Sequence, residues 1–115
     1  MSVATPSASP SAAAPTRCIT PESVGAVLLT ELKSDSDKER RAVQAAIVEL
    51  KRVLENPAQF FASVQTTDDL VLIELWHESA FRPQHCNVVG NPGGKCRTLG
   101  YDARKGRITS TKFWQ

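Results

Sequence analysis

His77 and Ser79 stand two residues apart in Trp76-His77-Glu78-Ser79, at the end of a stretch rich in strand formers. Alternate strand residues share a face, so this spacing puts an imidazole and a hydroxyl on one side. A base beside a hydroxyl is the first requirement of a nucleophilic hydrolase. The second is an oxyanion site, and no G-x-S-x-G turn surrounds Ser79. His85-Cys86 is the other base–nucleophile pair. Adjacent strand residues face apart, so His77 rather than His85 would have to activate Cys86, across a strand pair. A small hydrolase using His77 with Ser79 or Cys86 is therefore the alternative reading and not the first one.

Gly93-Gly94-Lys95 has the look of a phosphate loop, but the pattern fails at both ends. The motif needs glycine where Val89 stands and Ser or Thr where Cys96 stands. The glycines are expected to supply positive φ in a turn instead. No cofactor is implied. The three cysteines, Cys18, Cys86 and Cys96, contain no C-x-x-C pair, and neither histidine sits at a zinc-finger spacing.

Cys86 and Cys96 bracket Gly90-Asn91-Pro92-Gly93-Gly94, a run of turn formers. Two thiols on facing arms of a hairpin form a disulfide when their Cα atoms lie about 4.4–6.8 Å apart. A Cys86–Cys96 bridge would give a rigid loop and place the protein in an oxidising compartment. The alternative is two reduced strand cysteines acting as small hydrophobes. Arg82, His85, Asn91, Lys95 and Arg97 flank the proposed hairpin and are the expected exposed, partner-binding residues.

Charge supports a contact surface there. Residues 82–115 hold seven Lys/Arg against the single acid Asp102, net +6, whereas residues 1–81 carry net −4. Opposed electrostatic faces of this kind suit a protein partner with an acidic surface. Aromatic content of 6% and the lack of any RNP-like or helix-turn-helix signature argue against nucleic acid. No apolar run approaches the roughly 20 residues of a membrane span.

The elements that must position these residues come next. Residues 1–18 are Ser/Ala/Pro-rich and are expected to be a disordered linker ahead of one α+β domain, 19–115. Residues 1–16 lack the basic and apolar regions of a secretory signal. They resemble the spacer that follows a cleaved signal or an anchor. The expected location is periplasmic or secreted, with the leader removed, and cytoplasmic is the alternative. A first helix is expected from Thr20-Pro21-Glu22, with Val24, Val27, Leu28 and Leu32 on its buried face. Ser36-x-x-Glu39 is a capping box that opens a second helix. Its stripe is Val43, Ala46, Ile47, Leu50 and Leu54, and Asn56-Pro57 ends it. A short third helix would carry Phe60, Phe61 and Val64.

Leu70 to Glu78 reads as a central strand. Cys86–Val89, Lys95–Tyr101 and Arg107–Trp114 read as further strands of an antiparallel meander. Trp76, Phe81, Phe113 and Trp114 are expected to fill the helix–sheet interface. The fold class is therefore α+β, two or three N-terminal helices on a three- to four-stranded antiparallel sheet.

The pattern Gly93-Gly94-x6-Tyr101-Asp102-Ala103-x2-Gly106-x-Ile108 resembles the C-terminal hairpin of small bacterial NTF2-like and cystatin-like immunity proteins and of PepSY-like modules. The resemblance covers about residues 88–115. It implies a C-terminal hairpin that closes an antiparallel sheet, and neutralisation of a bacterial toxin by binding. The reading is thus a small non-catalytic binding module, an inhibitor or immunity protein acting on a toxin or envelope enzyme through its sheet and hairpin. An interaction or adaptor domain on a flexible tether is a further alternative.

Overall fold

A computed structural model describes residues 19–81 and 94–114. One α-helix lies across an antiparallel sheet of five strands. β1 is Val27–Leu28, α1 is Asp37–Arg52, β2 is Phe60–Thr67, β3 is Leu70–His77, β4 is Arg97–Asp102 and β5 is Arg107–Phe113. The strands stand in the sheet in the order in which they occur in the chain, so β3 is the central strand, as its sequence led us to expect. The α+β class holds. Among the described residues one α-helix stands where two or three helices were expected, and five strands where three or four were.

The first expected helix is a single 3-10 turn, Glu22–Val24. Thr20 and Ser23 open it with reciprocal backbone-to-hydroxyl bonds. Gly25 closes it at φ 70°, a left-handed conformation that glycine adopts without strain. Helical phase is lost there, and the β-branched Val27 enters β1. The third expected helix is also one turn, Pro57–Gln59, capped by Asn56 Oδ1 accepting from Ala58 N. Phe60, Phe61 and Val64 belong to β2. Their aromatic and β-branched side chains suit a pleated surface better than a helix.

α1 begins where the capping box places it. Ser36 Oγ accepts from Glu39 N. The return half of the box is relayed: Ser36 N donates to Ser34 Oγ, which donates to Glu39 Oε1 at 2.6 Å. Thr66 Oγ1 on β2 donates to the other carboxylate oxygen. These hydroxyls, Ser34 first and Thr66 second, lower the Glu39 pKa against the opposing effect of partial burial. A depressed carboxylate stabilises the fold fully above its ordinary pKa and loses that contribution as pH falls through its folded value. Glu39→Gln should therefore lower the Tm at neutral pH, and the two proteins should converge as pH falls from about 5 to about 2. Thermal melts across that range check it, and a constant difference at every pH would refute it.

Val43, Ala46 and Leu50 of α1 are buried against Phe60, Ala62, Val71, Ile73, Leu75, Leu99 and Tyr101, which alternate along β2, β3 and β4. The opposite sheet face carries a smaller cluster at one end, Trp76 and Cys96 with Phe61, Phe81, Trp114 and Ala26. Trp76 and Trp114 meet edge to face at 5.1 Å. The aromatics expected between helix and sheet are thus distributed otherwise. Trp76, Phe81 and Trp114 pack on the face away from α1, and Phe113 is 50% exposed.

Candidate functional site

The chain leaves the described residues at Phe81 and returns at Gly94, so both ends of the β3–β4 connection lie at one end of the sheet. Gly94 has φ 68°, the turn role expected of it. Two of the residues read as chemically capable, His77 and Ser79, lie there. β3 delivers His77 on the α1 side of the sheet, and the 3-10 turn Glu78–Phe81 follows it at once. His77 Nδ1 lies 2.9 Å from Ser79 Oγ, so the two side chains do meet. Ser79 N also donates to Nδ1, at 3.2 Å. A nitrogen that accepts the backbone N–H is unprotonated, which makes Ser79 Oγ a donor to it as well. His77 therefore caps the turn with its ring. Both residues are buried, and the His77 ring packs edge to face on Phe60 at 5.1 Å.

Cys96 is buried beneath the same turn, and its Sγ accepts from His77 N at 3.4 Å. Burial pushes the thiol pKa up, which keeps sulfur protonated at neutral pH and poor as a nucleophile. Cys96 is the single cysteine among the described residues, and no disulfide is seen among them. Cys86, its expected partner, lies outside them. So do Cys18, Arg82, His85, Asn91 and the expected strand Cys86–Val89.

Arg97 overturns an expectation. It was assigned to an exposed contact surface and is only 4% exposed. Alternation along β4 puts it on the same face as Leu99 and Tyr101, under the end of α1. Its guanidinium lies over the rings of Phe113, at 4.5 Å, and Phe60, at 5.5 Å. Nε donates to Lys95 O, and a terminal nitrogen is 3.6 Å from Glu55 Oε2. Burial lowers the Arg97 pKa, and Glu55 opposes that shift. Lys95 does reach solvent as expected and pairs with Glu55 Oε1 at 3.4 Å.

Glu55 is held in place by the way α1 ends, which the sequence did not signal. The helix stops at Arg52, four residues before the expected Asn56. Glu55 N then bonds to Leu50 O and Leu54 N to Lys51 O, the two bonds of a Schellman motif. Glycine normally occupies the left-handed position of that motif, but here it is Leu54, at φ 65°. Its side chain is 93% exposed, although the helical stripe had placed it in the core. A left-handed leucine and an exposed one are each unfavourable, and here they coincide. Leu54, Val53 and Phe113 form an exposed apolar fringe around the Glu55–Lys95–Arg97 cluster.

Among the described residues no group of three or more His, Cys, Asp or Glu is placed to hold a metal ion, and no helix is long and apolar enough to cross a membrane. The chain matches no protein-family model, and comparison with curated proteins and with solved structures also found no match.

Proposed function

We propose that this chain is a small protein-binding module that acts by occupying a partner with its surface. The observation that carries the reading is Leu54: a large apolar side chain held in a strained conformation and presented almost wholly to solvent. Strain of this kind costs on the order of 1–2 kcal/mol and accumulates at functional positions. Phe113, Val53 and Lys95 extend the apolar and basic surface around it. Arg104, Lys105, Arg107 and Lys112 are exposed as well, so the partner surface is acidic. The resemblance of residues 88–115 to immunity-protein tails gives the module its form, an inhibitor that neutralises a toxin or envelope enzyme in the periplasm or outside the cell. The proposal extends to Arg82, His85 and Asn91 as partner-binding residues, as the sequence led us to expect.

Leu54→Gly tests it by separating stability from binding. Glycine relieves the left-handed strain, so the variant should be more stable than the native protein by about 0.5–1 kcal/mol. Used as bait in extracts of the source organism, it should lose the partner that the native chain retains. Equal capture by both baits, or none by either, would overturn the reading.

The His77–Ser79 contact supports a second reading, a hydrolase. Turnover of ester or peptide substrates that disappears in both His77→Ala and Ser79→Ala, with the fold intact, would establish it over the first.

A further inference from the structure

Among the described residues β5 has a neighbouring strand on one side only. The bond from Trp114 N to Cys96 O fixes the phase of its hydrogen bonding. Lys112 and Ser110 then direct their backbone groups to β4, opposite Thr98 and Gly100, whereas Thr111 and Phe113 direct N–H and C=O outward. A register irregularity at Gly100/Tyr101 limits the regular part of this open edge to Ser110–Phe113. Farther along the strand, between α1 and the start of β5, lies a groove of about 400 Å3 lined by Ala45, Val48, Glu49, Gly106, Arg107 and Ile108. Val48 is 64% exposed there, an apolar side chain on α1 that the core does not use.

We infer that β5 is the docking edge for an extended acidic segment of the partner protein, which adds as a sixth strand. Outward backbone groups at Thr111 and Phe113 supply the main-chain bonds, and the groove receives side chains at alternate positions of the added strand. Side chains pointing toward α1 meet Val48 and Ile108 and are apolar. Those pointing the other way meet Lys112, which pairs with Thr98 on the face away from α1, and are acidic. The recognised chemistry is therefore an apolar–acidic alternation. A second copy of this chain is a poorer occupant, because its own β5 would bring Lys112 to the same face as its counterpart.

This inference rests on the binding-module reading, and its test is independent of the Leu54 experiment because it needs no cellular partner. The probe is a capped peptide of alternating valine and glutamate, with valine–lysine as control, titrated into the full chain and followed by amide hydrogen exchange. At saturation the Thr111 and Phe113 amides should slow by at least about tenfold, and the lysine peptide should do nothing. Thr111→Pro removes an outward N–H that β4 does not use, so the fold should survive and peptide binding should vanish. Val48→Glu, at an exposed helix position, should weaken binding about tenfold by replacing the apolar wall that the apolar side chains meet with a charge that binding would have to desolvate. Unchanged exchange at Thr111 and Phe113, equal binding of both peptides, or a β5-mediated dimer that Thr111→Pro abolishes would each overturn the inference.

Discussion

Replacing Leu50 with alanine is expected to cost about 2–5 kcal/mol, one of the two largest effects of any single substitution considered for this chain. Leu50 is fully buried in the last turn of α1, facing the sheet. Truncation removes the transfer energy of the lost carbons and leaves a cavity that α1 cannot close without moving Glu55, whose N–H is bonded to Leu50 O. In a domain of this size each kcal/mol is worth roughly 4–8 °C, so the melting temperature should fall by about 8 °C or more. Val48→Ala on the exposed side of the same helix should change it by no more than a few degrees, since surface substitutions stay within about 0.5 kcal/mol. Equal losses for the two variants would mean that α1 is rotated from the orientation described.

Glu55→Leu is expected to destabilise by on the order of 3 kcal/mol, because it leaves the buried Arg97 guanidinium without its carboxylate. The double variant Glu55→Leu/Arg97→Met should recover most of that loss. An apolar pair of similar volume replaces a buried ion pair at little cost, since neither charge then has to be desolvated. Lys95 contributes little to the cycle because its ammonium is exposed to solvent. Urea unfolding of the four proteins gives the coupling energy directly. If the double variant is as unstable as the sum of the single ones, the two side chains do not interact as described.

The parts of the fold that could be read in advance are those where local signals agree with tertiary demand. Ser36, Glu39 and the stripe from Val43 to Leu50 specify α1 on their own, and the β-formers of Leu70–His77 specify a central strand. The first and third expected helices failed because one strong local signal was extended too far. Thr20-Pro21 and Asn56-Pro57 do open helical turns, but Gly25 in one case and the Phe60-Phe61 pair in the other end them within three residues. At the candidate site His77 and Ser79 do meet, but through the 3-10 turn Glu78–Phe81 that follows β3 and not through the strand alternation that their spacing had suggested. The burial of Arg97 was visible in its alternation with Leu99 and Tyr101, but charge was given more weight than period. Leu54 carried no signal at all, because a Schellman ending without glycine looks like continued helix.

The agreement between chain order and sheet order also bears on how the molecule assembles. Among the described residues every strand after β2 pairs with the strand that precedes it, an order that lets the sheet grow by adding one strand to the next. The β2–β3 closure spans only Asp68 and Asp69, and hairpins of that length zip in microseconds. Two spans between neighbouring strands are long, residues 29–59 between β1 and β2 and residues 78–96 between β3 and β4, and the closure entropy of the second must be met before β4 and β5 gain anything. Nucleation therefore belongs to α1 with β2 and β3, and the hairpin of β4 and β5, including the edge offered to a partner, docks last.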